Sequence, residues 1–124
     1  MFKYLNKNPK QLITGDCAIR ACATALDKSW EDAYVDISRK GLTMSRVQTD
    51  NGVWGAYLRD NGFERHGVGN TCPVCYTVRD FAFDHPRGLY VLGMQGHTVC
   101  MEDSTWFDTW DCGDETVLYY WKER

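Results

Sequence analysis

The sequence has no apolar run approaching the ~18 residues of a membrane-spanning helix, and Met1 to Pro9 hold no apolar stretch of signal-peptide length. These absences point to a cytoplasmic protein with no membrane partner. Positive charge is also in short supply. Fourteen Lys and Arg against 17 Asp and Glu leave a net charge of −3, and no basic stripe runs through the chain. A nucleic-acid surface needs clustered cations to neutralise phosphates, so that class of partner is not expected. No internal repeat, low-complexity segment or linker interrupts residues 1–124, which read as a single folded unit.

Metal patterns are incomplete. Cys72-Pro73-Val74-Cys75 has the spacing of half a zinc site or of a redox dithiol, but no second CxxC and no HxxxH accompanies it. Cys100 and Cys112 could complete a ligand set only if the fold carried both to that loop. The parallel βαβ setting of a thioredoxin-type dithiol is missing too, so the pair reads as incidental, with no metal and no cofactor expected. Six cysteines fall below the density of a disulfide-built scaffold. Cys22 and Cys100 read as buried small hydrophobes.

What the chain does contain is an ordered change of pattern. Residues 1–16 read as an extended arm and turn. Ala18, Ala21, Cys22 and Ala25 then fall at i, i+3, i+4 and i+7, one small-residue face of a helix that begins at Cys17 and can lie close to a sheet. Ser29-Trp30-Glu31-Asp32 resembles a capping box, which starts a second helix running to about Arg39 and stopping at Gly41. A third helix is expected over Val53 to Asn61 and a fourth over Thr77 to Asp84, closed by His85-Pro86. Beyond Gly88, short β-branched or aromatic runs at 89–94, 98–102, 105–110 and 116–122 are separated by Gly, Asp and Ser, the signature of consecutive antiparallel strands. Helices first and strands second make an α+β fold, with N-terminal helices packed on a C-terminal antiparallel sheet.

A thiol acts as a nucleophile only as thiolate, which a helix N-terminus or an imidazolium favours. Cys17 stands where the first helix starts, so free N–H groups and the helix dipole favour its anion. Late in the chain, Gly96-His97-Thr98-Val99 opens a strand and Phe107-Asp108-Thr109-Trp110-Asp111 follows on the next. If Asp103-Ser104 is a two-residue turn, residue 102 faces 105, and the side chains of His97, Trp106 and Asp108 share one face. Asp108 is then the diagonal neighbour of His97, within reach of a hydrogen bond. A turn with an odd number of residues would put Asp111 there instead. His66 and His85 have no such company. Trp106, Trp110, Tyr119, Tyr120 and Trp121 read as core or cleft aromatics, and an exposed group of them would be a docking face.

Gln11 six residues before Cys17, the run Gly15-Asp16-Cys17-Ala18-Ile19-Arg20-Ala21, the late Gly96-His97-Thr98-Val99 and the acid that follows it together resemble the papain-like cysteine peptidases, in particular their small bacterial and phage-type members. The resemblance implies a minimal papain-like fold. It assigns Cys17 as nucleophile, His97 as general base and acid, Asp108 as the residue that orients it, and Gln11 as a donor to the oxyanion. The Cys-Gly-Ser-Cys-Trp run of those peptidases is absent, and the chain is far shorter than a full-sized member. The expected activity is hydrolysis of a peptide or isopeptide bond in a protein or peptide substrate. The same machinery serves acyl transfer or deamidation, and the fold stripped of chemistry could serve as a module that binds a host protein.

Overall fold

The computed structural model describes residues 1–70 and 74–124, so Cys72 lies outside the described residues. Ten elements follow in the order β1 (Phe2–Tyr4), α1 (Cys17–Ala25), α2 (Trp30–Met44), α3 (Asn51–Asp60), β2 (Phe63–Gly67), α4 (Val78–Asp84), β3 (Leu89–Met94), β4 (His97–Glu102), β5 (Thr105–Asp108) and β6 (Tyr119–Glu123). The α+β class holds, with α1, α2 and α3 gathered on one face of a six-stranded sheet.

Local chemistry explains most helix starts. The Ser29 hydroxyl accepts from the Asp32 N–H, and the Asp50 carboxylate accepts from the Gly52 N–H. Thr77 and Asp80 form a reciprocal capping box at α4. The second helix does not stop at Gly41. It continues to Met44 and ends on Ser45 in the left-handed conformation, φ 57°. Gly41 is there for packing, since a β-carbon at that position would stand 2.7 Å from the Arg46 carbonyl oxygen.

The strand order is β1-β5-β4-β3-β6-β2. β3, β4 and β5 form the expected antiparallel meander, with Glu102 opposite Thr105 and Met101 opposite Trp106 across an Asp103-Ser104 turn whose two residues both have positive φ. The rest of the sheet departs from the sequence reading. β6 pairs with β3 instead of its predecessor β5, β2 adds to the outer edge of β6, and β1 pairs in parallel with β5, which makes the sheet mixed.

Alternation along the strands divides the interior into two cores. Val91, Cys100 and Trp121 point to α1, α2 and α3, where Cys22, Ala23, Ala33 and Ile37 are wholly buried. Leu92, Val99, Met101 and Trp106 point the other way and are covered by Val78 and Phe81 of α4. The small residues of α1 let its axis lie close over β4, so its first residue, Cys17, overhangs the end of the sheet at which β4 begins with His97. No helix of the described residues is long and apolar enough to cross a membrane.

Candidate active site

Cys17 opens α1 and is partly buried. The residue before it, Asp16, holds the cap position but gives no side-chain hydrogen bond to the helix. Its carboxylate turns inward instead, accepting from Arg20 Nε at 2.9 Å, Trp30 Nε1 at 2.8 Å and Asn8 Nδ2 at 3.4 Å. The first-turn N–H groups of α1 thus have no competing carboxylate and remain available to an anion at or beside Cys17.

His97 meets both Cys17 and Asp108. Its Nε2 donates to Asp108 Oδ2 at 2.5 Å, a pair almost closed off from water. The same imidazole is a hydrogen-bond partner of the Cys17 thiol. Trp110 leans on the imidazole with ring centroids 4.8 Å apart. Asp108 also accepts from the Thr109 N–H at 2.7 Å and from Arg20 Nη1 at 3.1 Å. Asp111, the alternative acid, is elsewhere: it accepts from Trp106 Nε1 and from the Gly113 N–H.

The electrostatics follow from these contacts. Burial pushes the Cys17 thiol up, but the hydrogen bond and positive charge of His97, a backbone bond from Thr98 and the charge of Arg20 outweigh it, and the thiol titrates below its ordinary value. Burial would lower His97. Hydrogen bonds with Asp108, Cys112 and Cys17, and the charge of Asp108, instead push it up to about 11. Asp108 is raised by burial but held below the usual carboxylate range by His97, Thr109 and Arg20. Both shifts act in the same sense, toward a thiolate–imidazolium pair. By contrast, burial raises the thiols of Cys22 and Cys100, the latter to about 12, as suits packed residues.

Gln11 is not part of this arrangement. It is exposed, with φ 56°, and its side-chain amide donates to the carbonyls of Asn6 and Asn8 at 3.0 Å each, closing the turn of the N-terminal arm. The cleft of about 220 Å³ in front of Cys17 is instead walled by Gln48, Thr49, Asn51 and Trp54 on one side and Gly96 to Thr98 on the other. Asn51 is the polar residue that sequence reasoning passed over. Its Oδ1 accepts from Trp54 Nε1, which leaves Nδ2 as a donor. Cys112 was also missed as a neighbour of His97, being 15 residues downstream with no motif to place it. One ligand atom from each of His97, Asp108 and Cys112 lies within 4.8 Å of the others. The imidazole and carboxylate are already bonded to each other, and burial pushes the Cys112 thiol up, which works against the thiolate a metal needs.

No family model, curated protein or solved structure matches the chain.

Proposed function

We propose that the protein is a cysteine hydrolase of papain-like mechanism that cleaves a peptide or isopeptide bond through an acyl-enzyme. The observation that carries this reading is His97, hydrogen-bonded both to Asp108 and to a Cys17 thiol whose ionisation is favoured and which lines an open cleft. A merely structural thiol gains nothing from these features, and Cys22, one turn along the same helix, has none of them.

In the first step the Cys17 thiolate attacks the amide carbonyl carbon, and the carbonyl π electrons move to oxygen. The oxyanion is held by first-turn N–H groups of α1, with Asn51 Nδ2 as a side-chain donor from the facing wall. As the tetrahedral species collapses, the C–N bond breaks and His97 gives its proton to the departing amine. The thioester is then attacked by water, whose proton passes to the neutral His97 while Cys17 leaves as thiolate. Asp108 accepts the ring N–H throughout, and keeps the imidazole in one orientation.

The test is a thiol-reactive probe applied to the native protein. Iodoacetamide at neutral pH should modify Cys17 at least tenfold faster than any other cysteine, and Cys17→Ala should abolish hydrolysis of peptide substrates with the fold intact. Labelling of Cys17 at the rate of an ordinary exposed thiol would sink the reading.

A further inference from the structure

Beside the nucleophile's cleft lies a second groove of about 290 Å³, and Asn51 lines both. The second groove is walled by Arg59 of α3, Arg65 of β2, and Tyr119 and Trp121 of β6. β2 and β6 pair with Arg65 opposite Trp121 and Gly67 opposite Tyr119, so the side chains of Arg65, Tyr119 and Trp121 rise from one face of the sheet, with Arg59 reaching the groove from α3. The floor is continuous with the cleft: Trp54, in the cleft wall, stacks on Tyr119 with centroids 6.3 Å apart, and the Tyr119 hydroxyl feels the charges of both Cys17 and Arg65.

The groove is lined by two guanidiniums and no carboxylate. The Arg65 guanidinium carbon sits 4.2 Å from the centre of the Tyr119 ring, and that of Arg59 sits 5.4 Å from Trp121. Stacking of this kind fixes the plane of a guanidinium while leaving its edge N–H groups free for a carboxylate. Among the described residues neither arginine forms an ion pair. The carboxylates nearby are engaged elsewhere, Glu64 with His66, Asp60 with Lys40 and Asp50 with Arg46, and Glu123 on β6 pairs with neither arginine. The indole N–H of Trp121 is buried and has no hydrogen-bond partner among the described residues, an uncommon cost in a folded protein. Two guanidiniums held against one aromatic wall and without an ion pair among the described residues, on a chain whose net charge is −3, mark a site for an anionic group.

We propose that this groove is a substrate subsite for an acidic residue, an Asp or Glu flanking the amide bond presented to Cys17, held by Arg59 and Arg65. The inference rests on Cys17 being the nucleophile, because it is the shared wall at Asn51 that makes the groove part of the substrate's path.

The experiment uses a set of otherwise identical tripeptide chloromethyl ketones carrying Glu, Gln or Lys at each position in turn, with labelling of Cys17 followed by mass spectrometry. Iodoacetamide serves as the charge-free reference. At one position the Glu probe should react about fivefold to tenfold faster than its Gln counterpart, with the Lys probe slowest. The advantage should shrink at about 0.5 M salt. The Arg59→Gln/Arg65→Gln double variant should lose the preference while its iodoacetamide rate stays at the wild-type value, and Arg65→Lys should keep part of it. Equal rates for Glu and Gln at every position, with iodoacetamide still fast at Cys17, would overturn the acidic subsite and leave the nucleophile standing. Slow iodoacetamide labelling would overturn both. If a single-stranded oligonucleotide shielded Cys17 as well as an acidic peptide did, the groove would be a general anion surface and the peptide assignment would fall.

Discussion

Arg20 Nη1 donates to Asp108 Oδ1 at 3.1 Å while Arg20 Nε donates to Asp16 Oδ1 at 2.9 Å, so one guanidinium joins the residue that precedes the nucleophile to the carboxylate that holds His97. All three side chains are 10% exposed or less. Removing one member of such a group strands buried charge, and Arg20→Gln is expected to cost about 3–5 kcal/mol, measured by urea unfolding. Arg20→Lys keeps a charge but cannot span both carboxylates with a planar fork. The chemical signature separates the two variants: the pH at which Cys17 becomes half-reactive toward iodoacetamide should move upward in Arg20→Gln, which removes the charge that helps to lower that thiol, and less in Arg20→Lys, which keeps it. An unchanged profile in a folded Arg20→Gln protein would reduce Arg20 to a structural part.

The Cys17–His97 pair also sets a pH window for stability. His97 is raised from 6.5 to about 11 in the fold, and Cys17 is lowered from 9.0. The raised His97 contributes stability that is full below pH 6.5 and is lost as pH rises toward 11, whereas the lowered Cys17 contributes stability that is full above pH 9 and is lost as pH falls through its folded value. While Cys17 is losing its proton in the unfolded chain the two slopes therefore oppose each other. Above 9 only the His97 slope remains, and stability falls as pH rises toward 11. In Cys17→Ala the opposing slope is gone, so the decline should run unopposed from near pH 6.5. Unfolding curves across this range for the two proteins would show it, and parallel pH profiles would refute the ion pair.

Asp108 and Asp111 are separable by substitution. Asp108→Ala removes the acceptor of the His97 N–H and should lose most of the Cys17 reactivity, roughly 10²-fold or more. Asp108→Asn should retain an intermediate rate, since an amide oxygen still accepts from the ring. Asp111→Ala touches a Trp106 N–H and a turn, and should leave the labelling rate of Cys17 within about twofold while lowering stability by about 1 kcal/mol. Comparable losses of labelling in the two alanine variants would contradict the assignment.

Features governed by neighbouring residues were legible before any fold was known. Ser29 acts as a cap because its partner lies three positions away. The position of Asp108 follows from the two-residue Asp103-Ser104 turn, since parity along paired strands then fixes the face. What could not be read depends on distant partners. Phe2–Tyr4 and Phe63–Gly67 are too short, and too poor in β-branched residues, to announce strands. Gly41 reads as a stop because its role is set by the Arg46 carbonyl approaching it. Arg20 is 88 residues from Asp108, and no spacing within the helix motif reveals that bond. Gln11 failed for the opposite reason: six residues of arm before a helix do not fix where a loop side chain points, and this one satisfies its own turn.

Gly93 carries the last prediction. It faces Tyr119 across the β3–β6 pairing, and the phenol ring lies over its backbone, so that a β-carbon at Gly93 would fall 2.2 Å from the Tyr119 Cζ. An aromatic ring across a strand glycine is a contact that only the missing side chain permits. Gly93→Ala must therefore push Tyr119 off both Trp54 and Arg65, with an expected loss of about 1–3 kcal/mol. Strand propensity alone predicts the reverse sign, because Ala suits an extended backbone better than Gly. A double-mutant cycle decides between the two. With Tyr119→Ala already in place, Gly93→Ala should cost nothing further or become mildly stabilising, measured by the urea midpoint. If the cost of Gly93→Ala were the same with and without the Tyr119 ring, its source would lie elsewhere in the sheet.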